Sequence, residues 1–452
     1  MRGFFLTFLS MATLIDTLID AQHIVPVVPA NTVLYDHSIA VQSGRIVALL
    51  PTREAHVQYE PRQRVGLGNH VLIPGLVNAH THAAMTLMRG LADDLPLMAW
   101  LNDHIWPAEA AHVSSGFVYD GTLLACAEML RAGITCFNDM YFFPEAAAQA
   151  TVDARMRGML GMIVIEFPSN YAGDADAYLH RGLETRDAFR DAPLLKFCLA
   201  PHAPYTVTDK SFAKVLTYSE QLNVPIHMHL HETIDEINQS QTQYGMRPIE
   251  RMSRLGLLGP NFIAVHAVHL DPLGIALLAR QACHVVHCPT SNLKLASGIA
   301  PSSALLDAGV NVALGTDGAA SNNRLDLFAE MRLAALLAKG SSGRADAVPA
   351  HQALRMATLN GARALGLDDE IGSLEPGKAA DIVAVDLSSI ETSPCYDAAS
   401  HLVYAASREH VSDVWIAGNR LLENRVVTHL DIDAIYAKTQ SWQNKLGARK
   451  SK

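Results

Sequence analysis

The chain has 452 residues and a formal net charge of −10, and it carries no long basic run, which excludes a typical nucleic-acid-binding protein. Hydrophobic residues make up 49% of the chain and charged residues 18%, which excludes a disordered or fibrous protein and leaves room for more than one domain. No stretch reaches the ~18 consecutive apolar residues of a membrane-spanning helix, so we predict no contact with a membrane.

The N-terminal residues 1–10 contain a single cation followed by apolar residues, which is faintly like a signal peptide. No small-x-small cleavage site follows before the first predicted strand, and Met11 is an alternative start. The six cysteines are scattered through apolar surroundings without a Cys-x-x-Cys pair, as expected of reduced thiols in a reducing compartment. We therefore predict a cytoplasmic protein.

Short strand-like segments with turns between them occupy residues 12–70 and residues 371–428. The simplest interpretation is one small β-domain, a β-sandwich built from both chain ends, with a larger domain inserted between them. The predicted regions are a composite β-domain of residues 1–70 plus 371–430, a barrel domain of residues 71–370, and a C-terminal helix and tail of residues 431–452.

Between these flanks, apolar strand-like runs alternate with helical stretches such as residues 118–132 and 210–221. Strands that alternate with helices predict parallel pairing through right-handed crossovers, and eight such units close a barrel. The sequence therefore predicts an α/β fold with a distorted (β/α)8 TIM barrel. The eight runs are residues 71–77, 134–138, 161–165, 195–200, 225–229, 263–266, 285–287 and 310–315.

Most of these runs end in side chains that can bind a metal ion or move a proton. Because the active site of such a barrel lies at the carboxyl ends of its strands, we expect these side chains to meet at one mouth. They are His80, His82, Asn138, Asp139, Glu166, His202, His229, Glu232, His266, His287 and Asp317.

The strongest metal signal is Asn78-Ala-His80-Thr-His82, which follows the first run. In an extended strand, side chains two residues apart point to the same face. His80 and His82 therefore project together, as two imidazoles must if they are to share one ion.

Three further clusters follow. Residues 225–232 contain three alternating histidines on one strand face, of which only one near the strand end should reach the ion, and then Glu232, placed to lean over a hydrolytic water. Of His266 and His269, one is expected to be functional and the other to pack or cap. Asp317 lies between Gly-Thr and Gly at a buried strand end, where an ionised carboxylate needs a cation or strong donors.

Three imidazoles and one carboxylate, with room for water, are typical of a catalytic rather than a structural metal site. Such nitrogen and oxygen donors suit Zn²⁺, with Fe²⁺ as an alternative.

These motifs together resemble the amidohydrolase superfamily, and the resemblance covers nearly the whole chain, including residues 372–383 near the C-terminus. Within the superfamily, the chain looks most similar to the 5′-methylthioadenosine/S-adenosylhomocysteine deaminases. The segments that carry this closer resemblance are residues 84–95, Trp100-Leu101, Pro107-Ala-Glu109 and residues 199–205.

The resemblance implies a metal-dependent hydrolase that removes ammonia from an adenosine-type nucleoside, most of all 5′-methylthioadenosine, with S-adenosylhomocysteine as an alternative substrate, and leaves the inosine derivative. It implies one divalent metal ion per chain, held by His80, His82, His229 and Asp317. Relatives with two metals bridge them through a carboxylated lysine on the fourth strand. Here Lys196 lies at the beginning of that strand, far from the mouth, which favours a single metal.

The resemblance also assigns roles in catalysis and in substrate binding. Glu232 would pass a proton to the ring nitrogen beside the attacked carbon, His266 would position the hydrolytic water, and Asp317 would take its proton. Glu109 would bind the ribose hydroxyls, and His202 would touch the nucleoside.

Deaminases that accept S-adenosylhomocysteine are expected to offer an arginine to its carboxylate from the loop after the third strand. In this chain, the loop of residues 166–181 has no arginine before Arg181 and carries Asp174 and Asp176, which would repel a carboxylate. We therefore expect a preference for 5′-methylthioadenosine. Apolar contacts with its methylthio group are expected from Met85, Leu87, Met88 and Trp106.

Several alternatives share this fold. They are triazine-type chlorohydrolases and aminohydrolases, guanine deaminases and cytosine deaminases, all of which act on bare rings. The ribose-directed Glu109 argues against such substrates. Glu232 argues against the triazine hydrolases that lack this acid. A catalytically inactive interaction protein would have no reason to keep every metal ligand together with the proton shuttle. The resemblance further implies a homo-oligomer, either a dimer or a tetramer.

Overall fold

The computed structural model describes residues 12–447. The signal-like residues 1–10, the alternative start at Met11 and the basic end of the tail lie outside the described residues, so the expectations for them stay predictions. Within residues 12–447, no helix combines the length and the apolarity needed to cross a membrane. All six cysteines are unpaired, and five of them are buried.

The regular structure consists of sixteen strands and eighteen α-helices within the described residues. The strands are β1 (Thr13–Ile24), β2 (Leu34–Gln42), β3 (Arg45–Pro51), β4 (Tyr59–Pro74), β5 (Leu76–Thr81), β6 (Ile134–Tyr141), β7 (Arg157–Val164), β8 (Leu195–Pro201), β9 (Ile226–Leu230), β10 (Phe262–His266), β11 (His284–His287), β12 (Asn311–Leu314), β13 (Ile382–Asp386), β14 (Val411–Ile416), β15 (Asn419–Glu423) and β16 (Val426–Val427). The helices are α1 (Thr52–Gln58), α2 (Leu97–Trp100), α3 (Trp106–His112), α4 (Ser115–Arg131), α5 (Pro144–Asp153), α6 (Ala175–Ala188), α7 (Asp209–Leu222), α8 (Ile234–Tyr244), α9 (Pro248–Arg254), α10 (Pro272–Arg280), α11 (Pro289–Lys294), α12 (Ser302–Asp307), α13 (Ala319–Asn322), α14 (Leu327–Ser342), α15 (Ala350–Met356), α16 (Leu359–Ala364), α17 (Ala398–Tyr404) and α18 (Ile432–Gly447). Short 3-10 helices cover Ala83–Met88, Ile390–Thr392 and Arg408–His410, and a π-helical turn covers Leu101–Ile105 between α2 and α3.

Strands β5 to β12 form a parallel eight-stranded sheet in chain order, with helices on its outer side. The sheet curls until its two edges meet: the amide of Asp317 donates to the carbonyl of His80 at 3.1 Å. Beside this contact, the side chain of Asn78 donates to the Thr316 hydroxyl at 2.8 Å and accepts from the Thr316 amide at 2.9 Å. The predicted (β/α)8 barrel is therefore confirmed.

The two chain ends build a second sheet, as predicted. Its strand order is β16-β15-β14-β13-β4-β1-β2-β3, and β1 runs parallel to β4 while the other neighbours are antiparallel. Hydrogen bonds join all eight strands in one continuous mixed sheet. One of its faces is covered by apolar side chains that include Ile19, Ile39, Leu72, Ile382 and Trp415.

The prediction that the apolar run 71–77 forms one barrel strand is wrong, because the run is shared between the two sheets. Its first part ends β4, which pairs with β1 and β13, and its last part begins β5. The chain passes between them at Gly75, where a Cβ atom would lie 2.0 Å from Oγ1 of Thr135. The division into three regions stays a proposal, and the sheets assign Val71–Pro74 to the terminal one.

Candidate active site

Four side chains from three places in the chain converge at the carboxyl end of the barrel. His80 lies at the end of β5 and His82 directly follows this strand, His229 comes from β9, and Asp317 follows β12. The Nε2 atoms of His80 and His229 lie 3.3 Å apart. Oδ1 of Asp317 lies 3.4 Å from Nε2 of His80 and 3.2 Å from Nε2 of His82.

Backbone carbonyls set the orientation of two of these imidazoles. Nδ1 of His82 is 2.5 Å from the carbonyl of Met140, and Nδ1 of His229 is 2.8 Å from the carbonyl of His202. An Nδ1–H that donates to a carbonyl fixes the tautomer and leaves the Nε2 lone pair for a metal ion. The third ring, His80, is held from behind by Nε2 of His227, which lies 3.0 Å from its Nδ1.

Asp317 is held rigidly in an unusual backbone conformation, with a φ of +61°. Its Oδ2 accepts from the hydroxyls of Ser291 at 2.6 Å and Ser321 at 3.0 Å, and its Oδ1 accepts from the amide of Gly318 at 2.7 Å. Burial alone would raise the pKa of Asp317, but the two adjacent histidines hold it well below its usual range. The site therefore contains a buried carboxylate that stays ionised.

The residues present fit a divalent metal ion. Two sets of donor atoms, in which all atoms lie within 4.8 Å of one another, are His80, His82 and His229, and His80, His266 and Asp317. Burial lowers the pKa of His80 to about 4 and that of His229 well below its usual value, so both rings are neutral near pH 7, whereas contact with the Asp317 carboxylate outweighs burial and raises the pKa of His82 to about 9. Neutral imidazole nitrogens only 3.3 Å apart, beside an ionised carboxylate, form a donor set suited to Zn²⁺.

Glu232 and His266 lie beside this donor set. Oε2 of Glu232 is 3.8 Å from Nε2 of His266, and both side chains are buried. His266 has a φ of +71°, and its Nδ1 lies 2.8 Å from the amide oxygen of Asn292, which fixes the ring. Burial raises the pKa of Glu232, because it disfavours the charged form of the carboxyl group.

A cavity of about 470 Å³ opens in front of these groups. Glu109 and His202 line its wall: a Glu109 oxygen accepts from the Tyr141 hydroxyl at 2.7 Å, and Nδ1 of His202 is 3.1 Å from the Thr206 hydroxyl. The rest of the wall is mostly apolar. The side chains that form it include Leu97, Trp100, Ile105, Trp106, Val113, Phe142, Phe143, Ile163, Ile165 and Phe167.

Four of the predicted strand-end residues do not reach this cavity. Asn138 donates to the carbonyl of Ala79 at 3.1 Å, and Asp139 accepts from the amide of Ala83 at 2.7 Å. Glu166 accepts from the amide and hydroxyl of Thr208 at the start of α7, and His287 is buried and does not line the wall. A polar residue at a strand end therefore predicts only that the residue is near the mouth.

Two histidines of the predicted clusters, His231 and His269, make their contacts away from the donor set. Nδ1 of His231 contacts the carbonyl of His269 at 3.0 Å, while its Nε2 accepts from the amide of Ile249 at 3.0 Å. Nε2 of His269 contacts the carbonyl of Ser297 at 2.8 Å. Their role is to hold the loops that follow β9 and β10.

Sequence reasoning missed the residues that support the site. Ser291 and Asn292 lie in α11 after β11, and Ser321 lies in α13, where no metal-ligand spacing points to them. Of these residues, Tyr141 is the one that a sequence signal could have found, because it ends strand β6. Its hydroxyl bonds Glu109. The helical segment from α2 to α3, which forms much of the cavity wall, was not predicted as an element.

The expected surroundings of the substrate tail need two corrections. Met85 and Trp106 line the cavity, but Leu87 and Met88 do not. Asp174 caps α6 by accepting from the amide of Ala177 at 2.9 Å, and Asp176 bonds Lys214, so neither carboxylate faces the cavity.

Arg181 is also outside the cavity wall. Its guanidinium carbon lies 4.3 Å from the centre of the Tyr171 ring, and one of its nitrogens donates to the carbonyl of Tyr171. Among residues 12–447, the cavity wall contains no lysine and no arginine. The loop after β7 therefore offers a neutral surface rather than an anionic one.

A model of the amidohydrolase family matches residues 71–421. The chain belongs to this family. A protein of Teredinibacter turnerae that is named 5-methylthioadenosine/S-adenosylhomocysteine deaminase is 48% identical over 438 residues, which cover 97% of this chain and 99% of the relative. A protein of the same name from Saccharophagus degradans is 46% identical over 437 residues, or 96% of this chain and 98% of the relative.

Solved structures resemble the chain over the same extent. A crystal structure described as an adenosine deaminase from Xanthomonas campestris with bound zinc has a TM-score of 0.96 and 50% identity, and covers 97% of this chain and 100% of that one. An atrazine chlorohydrolase from Arthrobacter aurescens complexed with zinc has a TM-score of 0.87 at 23% identity, over 94% of this chain and 100% of the other, which is evidence for a common fold only. The predicted membership of the amidohydrolase superfamily is confirmed.

Proposed function

We propose that this chain is a metal-dependent hydrolase that deaminates adenosine-type nucleosides at C6, with 5′-methylthioadenosine as its preferred substrate. The products are 5′-methylthioinosine and ammonia. The observation that carries this proposal is the cavity itself, in which an acid, Glu232, faces the metal-binding donor set and a second carboxylate, Glu109, lies along an apolar wall. Two relatives that are 46% and 48% identical over nearly the whole chain carry a deaminase name, which supports the same reaction.

His80, His82, His229 and Asp317 would hold one divalent ion, Zn²⁺ or alternatively Fe²⁺. Such an ion, when bound, supplies a Lewis acid that makes water a better nucleophile near neutral pH. The exposed Lys196, at the start of β8, is too far from the mouth to bridge a second ion.

Glu232 and His266 are assigned to proton transfer and to the placement of water. Because burial raises the pKa of Glu232, this carboxyl group is suited to deliver a proton to the ring nitrogen beside C6. His266 is fixed by Asn292 and holds the hydrolytic water in line with C6. Asp317 stays ionised and accepts the proton of that water.

Glu109 and His202 are assigned to substrate binding. Tyr141 donates to Oε1 of Glu109 at 2.7 Å, which orients the carboxylate and leaves Oε2 for the ribose hydroxyls. Burial lowers the pKa of His202 to about 3, so its ring is neutral and offers a hydrogen bond and a flat surface to the purine without adding charge.

The alternatives make different demands on the wall. A triazine hydrolase, a guanine deaminase or a cytosine deaminase binds a bare ring and has no use for the Tyr141–Glu109 pair. A catalytically inactive interaction protein would not need a proton donor 3.8 Å from His266. The predictions of a homo-oligomer, a cytoplasmic location and no nucleic-acid partner are part of the proposal.

One experiment separates these possibilities. The protein, loaded with Zn²⁺ and assayed for its metal content, is tested for ammonia release from methylthioadenosine, S-adenosylhomocysteine, adenosine, guanine and cytosine, and for chloride release from a chlorotriazine. We expect one metal per chain and the highest kcat/KM for methylthioadenosine. Faster turnover of a bare ring than of any nucleoside would contradict the proposal, and two tightly bound ions per active chain would contradict the single-metal site.

A further inference from the structure

The turn that carries Glu232 is fixed by a carboxylate from the following helix. The amides of His231 and Glu232 each donate to Glu236 at 2.9 Å, one to each of its carboxylate oxygens. Glu236 is buried, in the first turn of α8. Both oxygens of one side chain are therefore used on two successive peptide groups.

This arrangement differs from an ordinary helix cap. The sequence Thr233-Ile-Asp-Glu236 is a capping-box pattern, and the Thr233 hydroxyl accepts from the amide of Glu236 at 3.3 Å as that motif requires. In the ordinary box, the glutamate bonds the amide of the cap residue itself, as Glu250 does with the Arg247 amide at 2.8 Å at the start of α9. Glu236 instead reaches past the cap to the two residues before it.

The backbone at this point needs such support. His231 has a φ of +58°, a left-handed conformation that costs a non-glycine residue free energy and persists only when its neighbours enforce it. Its ring is held at both nitrogens, by the carbonyl of His269 and the amide of Ile249. The peptide that leads directly into Glu232 is bonded on both sides: its carbonyl, on His231, accepts from the amides of Val268 and His269 at 3.0 Å each, and its N–H donates to Glu236.

We propose that Glu236 is a positioning residue that fixes the Glu232 carboxylate at its working distance from His266, which is 3.8 Å in the structure. This inference rests on the proposed function, because it gives Glu236 its effect through the proton donor. Glu236 does not line the cavity, so it is not placed to contact a substrate there.

Glutamine at this position tests the chemistry closely. Its amide oxygen accepts from one peptide N–H, but its NH₂ group then faces the other N–H, so two donors oppose each other in a buried place. The peptide must move, and a displacement of about 1 Å at a reacting group costs up to about 10²-fold in rate. We therefore expect Glu236→Gln to lower kcat about 10- to 100-fold, with a smaller change in KM.

The matched control is Glu250→Gln, which removes an ordinary capping-box carboxylate from the neighbouring helix; this carboxylate bonds the Arg247 amide and not the amides of His231 and Glu232. It should leave kcat near the wild-type value. Metal content and the cooperativity of unfolding are measured for both variants. If Glu236→Gln does not fold, Glu236→Asp takes its place, because its shorter carboxylate reaches only one of the two amides.

A double-mutant cycle distinguishes positioning from a general loss of structure. If Glu236 acts through Glu232, the variant Glu232→Gln/Glu236→Gln should be no slower than Glu232→Gln alone. An additive loss in the double variant, or a wild-type kcat in Glu236→Gln, would overturn the proposal.

A second readout does not depend on deamination. Hydrogen exchange of the peptide containing residues 229–236 should be faster in Glu236→Gln than in Glu250→Gln, because one of the two amides loses its acceptor. Unchanged exchange would refute the contact itself. Faster exchange together with a fully active Glu232→Gln would instead place the error in the role proposed for Glu232.

Discussion

The wall of the cavity predicts which 5′-tail the protein accepts. 5′-Methylthioadenosine ends in a neutral thioether, whereas S-adenosylhomocysteine ends in an amino-acid group with a carboxylate and an ammonium. The cavity wall within residues 12–447 carries no lysine or arginine to pair with that carboxylate. The loop of residues 167–171 contributes Phe, Pro, Ser, Asn and Tyr to the wall, and the nearest arginine in that part of the sequence, Arg181, lies against Tyr171 outside it.

The size of the preference follows from the missing contact. A hydrogen bond to a charged group contributes about 1.5–3 kcal/mol. At 1.4 kcal/mol for each factor of ten, its absence lowers kcat/KM for S-adenosylhomocysteine about 10- to 150-fold relative to a site that provides the cation. Methylthioadenosine loses no such contact, because its neutral tail needs only apolar surroundings and the cavity wall is mostly apolar.

A substitution at the rim turns this argument into a measurement. Phe167 lines the cavity, is 43% exposed and packs edge-on to Trp106 at 6.3 Å between ring centres, so an arginine there can stay hydrated. We expect Phe167→Arg to raise kcat/KM for S-adenosylhomocysteine about tenfold or more while changing that for methylthioadenosine little. Phe167→Gln is the control, because it removes the ring without adding a charge.

Steady-state ammonia release with both substrates decides the matter. The reasoning is refuted if the wild-type protein has a higher kcat/KM for S-adenosylhomocysteine than for methylthioadenosine. It is also refuted if Phe167→Arg and Phe167→Gln change the ratio of the two substrates equally, since the effect would then not depend on charge.

Three further predictions concern the acid, the ribose site and the scaffold. Glu232→Gln should keep the metal and the fold but lose roughly 10²–10⁴-fold in kcat, which metal analysis and kinetics measure together, and near wild-type turnover would remove Glu232 from the mechanism. Burial raises the pKa of Glu109 to about 7, so this carboxyl group is increasingly protonated as the pH falls below 7; KM for nucleosides should rise about tenfold from about pH 8 to about pH 6, and Glu109→Gln should abolish this dependence. Arg157 and Asp381 form a buried ion pair at 3.1 Å, so Arg157→Leu should lower the free energy of unfolding by about 3–5 kcal/mol in urea titrations, whereas Arg186→Leu, at a surface pair, should change it by less than about 1 kcal/mol.

The donor set shows what a sequence can predict of a site. His80 and His82 are two residues apart at a strand end, and the period of the strand alone sends them to one face. That they meet His229 and Asp317 follows from parallel strands in a closed barrel, whose carboxyl ends share one mouth. These inferences succeed because each depends on a local period and on one global rule.

The supporting contacts could not be predicted in this way. Ser291 and Ser321 reach Asp317 from two short helices, and Glu236 reaches back to its own preceding turn. Serines and glutamates at helix starts are ordinary caps in most sequences. Only their contacts in the folded protein show whether they cap a helix or support the site. The division of the run 71–77 between two sheets could not be predicted either, because an apolar run does not indicate which sheet a strand joins.

The loop after β7 shows why a charge in the sequence is a weaker guide than its absence. Asp174 and Asp176 predicted an anionic wall. In the structure, Asp174 accepts from a free amide at the start of α6, as a helix-capping aspartate does, and Asp176 pairs with Lys214. Both are therefore turned away from the cavity. By contrast, residues 166–180 contain no lysine and no arginine, so no rearrangement of their side chains can bring either into the cavity. The preference for a neutral tail stays a prediction. Repulsion by Asp174 and Asp176 no longer supports it, and it depends only on the absence of lysine and arginine from the described cavity wall.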